Sequence, residues 1–223
     1  MNFDFTKITG LFKMVCSTKV YFYVPNLIGF ARVVLSLLCF KWAFTDFKIC
    51  ATMYFISFLL DGIDGHVARL LNQTSQFGAV LDMITDRFST TCLCVVLAML
   101  YPSYLIVFNC IIALDVSSHY FHMNCSLLLG SKSHKEVAQS KNFLLKLYYE
   151  SRLFMSILCL GNELFFVLLY VTSFVPHPIL SWVTRVVSVL MGLKQFMNVV
   201  QMVSACQTLV KYDVGLLETS KSE

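Results

Sequence analysis

The chain has 223 residues, of which 57% are hydrophobic and 13% charged, with 17 Lys and Arg against 13 Asp and Glu. A soluble domain carries roughly a quarter charged residues, so this composition excludes a soluble globular fold, a disordered chain and a basic nucleic-acid-binding surface. Nine cysteines, an odd number scattered through apolar runs, exclude a secreted disulfide scaffold. A polytopic membrane protein remains. Six spans of about 20 residues each leave room for loops and none for a second domain.

The elements follow in chain order. Phe3, Phe5, Ile8, Leu11, Phe12 and Val15 alternate with lysines, which predicts an amphipathic interfacial segment over residues 1–24 rather than a signal peptide. The first span is predicted at residues 26–44, after Pro25. The second starts near Phe47 and stays apolar up to Asp61, and the third covers residues 77–101. Pro102 breaks the chain there, because proline lacks a backbone donor and disfavours helix just before it. A fourth span covers residues 104–123. A polar, basic stretch at residues 130–152 leads to a fifth span at 153–175. Pro176-His177-Pro178 makes the next turn, and a sixth span covers residues 179–210. The six-helix core thus occupies residues 25–211, and a polar tail follows at 212–223. Runs such as STTCLCVVLAML are apolar on every face, whereas barrel strands alternate. The expected fold is an all-α bundle of six transmembrane helices.

Orientation follows from the distribution of Lys and Arg. Lys7, Lys13, Lys19, Arg32, Arg69, Arg87, Lys132, Lys135, Lys141, Lys146, Arg152, Lys211 and Lys221 fall on the side of the N-terminus. Lys41, Lys48 and Arg185 fall on the other. Both termini are therefore expected to face the cytosol.

Ionisable groups within spans are costly and mark function. Here they cluster: Asp61 and Asp64 at the end of the second helix, Asp82 and Asp86 near the start of the third. The i, i+3 and i, i+4 spacings put each pair on one helix face. A tight connection through Asn72, Gln73 and Thr74 brings the two faces together. Four converging carboxylates stay charged only with a cation between them. Oxygen ligands without His or Cys favour Mg²⁺ or Mn²⁺ over zinc. Gly62, Gly65, Ala68, Gly78 and Ala79 keep the facing surfaces low, for close helix packing or for a ligand cleft. Arg69 offers a planar fork suited to phosphate. A purely structural polar contact is the weaker reading, since four acids with one or two nearby bases make a poor network.

These residues carry a resemblance. Asp61, Asp64, Gly65, Ala68, Arg69, Gly78, Asp82 and Asp86 stand at the spacing of the signature of CDP-alcohol phosphotransferases. Segments 24–29, 77–87, 114–119, 133–135 and 161–165 are similar to the eukaryotic, inositol-using branch of that family. The resemblance implies that a hydroxyl of myo-inositol attacks the lipid-bearing phosphate of CDP-diacylglycerol and that CMP leaves. It implies two metal ions held by Asp61, Asp64, Asp82 and Asp86, with Asp86 as general base. It also implies contacts from Gly65, Arg69 and Ser75 to the CDP-diacylglycerol nucleotide. Read from the residues alone, Ser75 is only a solvated loop serine. An endoplasmic reticulum address, a cytosol-facing active site, membrane lipid as surroundings and a homodimer come from the same resemblance.

The remaining intramembrane polar groups support two readings each. Glu163 and Lys194 lie near the middle of the fifth and sixth spans, where they either pair with each other or bind inositol hydroxyls. Asp115 and His119 are one helical turn apart and read as a hydrogen-bonded core pair or as acceptor contacts. Lys135 and Arg152 border the basic loop, where the plain role is attraction to anionic headgroups and the sharper one is acceptor binding. Two other functions keep the same acids: a family member with glycerol phosphate, serine or choline as acceptor, or a divalent-cation transporter. A transporter would repeat its acids through the membrane depth, and these four cluster at one face.

Overall fold

The computed structural model describes residues 19–129 and 151–220. Lys135, the predicted interfacial segment through residue 18 and the last three residues lie outside that range. The described residues form helices and no strands. These are α1 (Val24–Lys41), α2 (Phe47–Leu70), α3 (Gln76–Leu100), α4 (Leu105–Leu129), α5 (Arg152–Phe174) and α6 (Pro178–Ser220), with a 3-10 turn at Pro102–Tyr104. Five of the six are long and apolar enough to cross a membrane. α2 falls outside that group: it has 24 residues, but its last ten carry Asp61, Asp64, His66 and Arg69. Large apolar side chains such as Leu105, Ile106, Trp182 and Val189 lie exposed along the helices, a surface suited to lipid rather than water.

Three helices run further than the hydropathy pattern suggests: α4 ends at Leu129 rather than near residue 123, and the other two are α2 and α6. α2 passes through Asp61 and continues to Leu70, because a charged residue at a helix end does not break backbone hydrogen bonding. α6 continues to Ser220, so residues 212–220 extend a helix instead of forming a separate tail. No proline interrupts that stretch. At 43 residues α6 measures about 64 Å at 1.5 Å per residue, roughly twice a bilayer's hydrocarbon core.

The chain packs as two compact units that divide within α3, after Cys92. In the first unit, α1 and α2 pack along one another. Asp46 caps α2 by accepting from the Lys48 and Ile49 backbone N–H groups at 3.0 and 3.1 Å. The α2–α3 connection is built from two caps. Gln73 N–H donates to Ala68 O and Asn72 N–H to Arg69 O, which is a Schellman closure. Asn72 takes the left-handed conformation it requires, with φ of 52°. Three residues later Ser75 caps α3, its Oγ accepting from Gly78 N–H at 3.0 Å. The Gln73 side chain turns back to accept from Val24 N–H at 2.9 Å, so this one connection satisfies ends of three helices.

The second unit holds the end of α3 with α4, α5 and α6; α6 packs on both α4 and α5. Leu158 and Met197 form a buried apolar cluster with Phe154, Met155 and Leu190 against it. Gly161 allows the α5–α6 approach, since a Cβ there would stand 2.6 Å from the Leu190 Cβ. Tyr101 donates to Leu169 O at 3.1 Å, which ties the α3–α4 connection to α5.

Candidate metal and nucleotide site

α2 and α3 bring the four aspartates together within the first unit. Asp61, Asp64 and Asp82 each offer a carboxylate oxygen, and these three atoms lie within 4.8 Å of one another. Asp86 joins them through a basic residue of α1. Arg32, on α1, is 3% exposed and extends its guanidinium into the middle of the acids. Its Nη1 bonds Asp64 at 2.8 Å and Asp82 at 2.7 Å. Its Nη2 bonds Asp61 at 2.6 Å and Asp86 at 2.5 Å. Arg87 stands 3.8 Å from the other oxygen of Asp86. Counting Arg32 among the bases on the N-terminal side gave it no role in the site, and the structure adds one. A basic residue seven positions after Pro25 fits equally well at a membrane edge or inside a bundle, and only the opposing acids decide.

Below the charges the same three helices become progressively less polar. One turn further along each helix lie Ser36, Ser57 and Ser89. Ser36 and Ser89 are hydrogen-bonded at 2.8 Å, Ser36 and Ser57 at 3.4 Å. Ser57 also donates to the Arg32 backbone carbonyl at 3.4 Å. Further on, one turn past Ser36 on α1 and two turns from Ser57 on α2, Cys39 and Cys50 are fully buried beside each other. These helices place charge, hydroxyl and thiol in successive layers, so the acids sit at the polar end of a sealed interface.

The residues fit a divalent cation. The donors are all carboxylate oxygens, the chemistry that suits hard divalent ions. Even counting Arg87, four carboxylates face two guanidinium groups, which leaves a negative surplus. Asp82 is 46% and Asp61 31% exposed at the side chain, so the cluster is open to solutes.

A cleft of about 220 Å³ adjoins the acids, lined by Pro25, Asn26, Gly29, Asp64, Gly65, Ala68, Arg69, Gln73, Thr74, Ser75, Gly78, Ala79, Leu81 and Asp82. The small residues divide their work. A Cβ at Gly78 would come within 2.6 Å of Asn26 Oδ1, and one at Gly29 within 2.9 Å of Leu81, so these two glycines permit helix contact. Gly62 faces open space and Gly65 meets only Arg69 at 3.6 Å, so these two leave room. Gly65, Arg69 and Ser75 all line the cleft, and Ser75 is also a helix cap rather than a free loop hydroxyl.

The second unit holds a separate buried polar network. Lys194 donates to Asn198 Oδ1. Asn198 Nδ2 donates to Asp115 Oδ1 at 3.1 Å and to Gln195 Oε1 at 3.4 Å. Gln195 donates to Asn162 Oδ1 at 2.9 Å, and Asn162 to Glu163 Oε1 at 3.4 Å. Lys194 and Glu163 are thus joined through three amide side chains. His119 Nδ1 sits 2.8 Å from the Asp115 backbone carbonyl, one turn back on its own helix. Arg152 opens α5. Asn162, Gln195 and Asn198 link the charged members, and neutral amides inside apolar helices are the sequence signal for them.

The described residues thus form a helical membrane bundle whose paired acids meet beside a small-residue cleft. The sequence matches the CDP-alcohol phosphatidyltransferase family model over residues 22–192, and the chain belongs to that family. Among its relatives is the CDP-diacylglycerol–inositol 3-phosphatidyltransferase of Schizosaccharomyces pombe, 42% identical over 91% of this chain and 95% of that one. The human protein of the same name is 40% identical over 88% and 95% of the two chains. Arabidopsis thaliana has one that is 39% identical over 88% and 92%.

Proposed function

We propose that this chain makes phosphatidylinositol by transferring the phosphatidyl group of CDP-diacylglycerol to myo-inositol. The observation that carries the reading is the convergence of Asp61, Asp64, Asp82 and Asp86 beside a cleft lined by Gly65, Arg69 and Ser75, in a chain whose relatives are named for that reaction. An inositol oxygen bonds to the lipid-bearing phosphorus, the bond from that phosphorus to CMP breaks, and the hydroxyl proton passes to a base. Asp86 is proposed as that base.

Asp61, Asp64, Asp82 and Asp86 would hold two Mg²⁺ or Mn²⁺ ions, which when bound offset charge on the attacking and leaving oxygens. Arg69 is exposed on the cleft and suits a diphosphate through its fork of donors. Gly65 leaves space for the nucleotide and Ser75 supplies a polar wall. Lys135, Arg152, Glu163, Lys194, Asp115 and His119 are proposed for the acceptor. A homodimer in the endoplasmic reticulum, with the acids and both termini on the cytosolic side, is proposed from the family resemblance and the Lys and Arg distribution.

The test is CMP release by the purified chain with CDP-diacylglycerol and one alcohol at a time. Release with inositol is expected. Release with serine or glycerol phosphate but not inositol would overturn the acceptor, and release with no alcohol tested would overturn the reaction.

A further inference from the structure

We propose that Arg32 is the resident cation of the acidic cluster, a positioning residue that holds the four aspartates converged and competes with a divalent ion for their oxygens. The inference rests on the metal-binding reading above and extends it to a residue outside the acidic motif. The geometry is specific. Each terminal nitrogen of the guanidinium takes one acid from α2 and one from α3: Asp64 with Asp82, and Asp61 with Asp86. Its terminal nitrogens hydrogen-bond Asp64, Asp82 and Asp86 and form an ion pair with Asp61. Lysine has three donors on a single nitrogen and cannot span two pairs in this way.

The surroundings fix this placement. α1 approaches α3 closely at Gly29, one turn before Arg32, and the serine layer sits one turn beyond it. Ser57 holds the Arg32 carbonyl. Arg32 Nε is buried with no hydrogen-bond partner among the described residues, so the acids alone orient the group. A charge buried in this way is strongly bound to its partners and costly to strand. A divalent ion among the same oxygens meets a like charge at close range. Arg32 therefore sets the threshold affinity at which the acids accept metal, and it keeps them from repelling each other when metal is scarce.

The experiment uses the full chain purified in detergent, with Mn²⁺ alone as probe, comparing wild type with Arg32→Gln and Arg32→Lys. Mn²⁺ affinity is read by paramagnetic resonance, and thermal midpoints are read in chelator and in saturating Mn²⁺. Arg32→Gln is expected to bind Mn²⁺ at least about tenfold tighter, the factor that about 1.4 kcal/mol of lost competition represents. Its midpoint is expected to fall in chelator and to recover in Mn²⁺. Arg32→Lys is expected to lie between, and it carries the affinity test alone if the glutamine variant does not survive purification. Unchanged or weaker Mn²⁺ binding, or an equal loss of midpoint with and without Mn²⁺, would overturn the proposal. Wild type that binds no Mn²⁺ overturns the metal reading too, whereas a wrong acceptor alcohol leaves these readouts untouched.

Discussion

At the scale of single residues, the glycines of the acidic motif have opposite tolerances. Gly78→Ala drives a methyl into Asn26 Oδ1 and crowds Ser75 Oγ at 3.0 Å, so it is expected to lower stability by about 1–3 kcal/mol. Gly62→Ala meets open space on a helix and is expected to be neutral or to stabilise by about 0.5–1 kcal/mol. Thermal unfolding of both variants checks the pair; a Gly78→Ala protein as stable as Gly62→Ala would refute the close contact. Asp86→Asn keeps the volume of the side chain but removes its capacity to accept a proton. It is expected to retain CDP-diacylglycerol binding while CMP release falls by roughly 10²–10⁴-fold. Near-normal release would remove Asp86 from the role of base. The aspartates and glycines were legible because helical spacing alone assigns their faces. Arg32 was not: a charge eight residues into a helix reads as a membrane-edge flank until its partners are placed, and they lie 29 to 54 positions along the chain.

At the scale of elements, each helix start came within a few residues of its hydropathy edge, because proline and the caps punctuate strongly. The ends were less legible. α2 and α6 outlast their apolar runs, since hydropathy reports lipid contact while helix continuation needs only unbroken backbone bonding. The buried amides of the second unit were hidden for a related reason: Asn and Gln lower hydropathy without announcing a partner. Asn198 is fully buried and bonds Asp115, Gln195 and Lys194. Asn198→Leu strips those groups of one partner each and is expected to destabilise by about 1–3 kcal/mol. If inositol contacts belong to this network, the inositol KM rises in any variant that still folds, while the KM for CDP-diacylglycerol holds. Equal changes in both constants would assign the network to packing alone.

At the scale of the whole molecule, composition identified a helical membrane protein, and the distribution of Lys and Arg predicts where its ends lie. With short tags on both termini, sealed microsomes treated with external protease are expected to lose both tags. Protection of either would reverse the orientation. The length of α6 bears on the same experiment: a helix of 43 residues exceeds the membrane's apolar thickness, so part of it extends beyond the apolar layer.

The α2–α3 connection ends three helices and also supplies Gln73, Thr74 and Ser75 to the wall of the cleft. Its amides are therefore both helix termini and pocket lining. Helix ends fray readily, and a nucleotide seated against Ser75 would hold them closed. Deuterium uptake at Val24, Asn26 and residues 72–79 is accordingly expected to slow when CDP-diacylglycerol binds, while amides in the middle of α5 keep their rate. The connection then acts as a built-in reporter of donor occupancy, readable before any bond is made or broken.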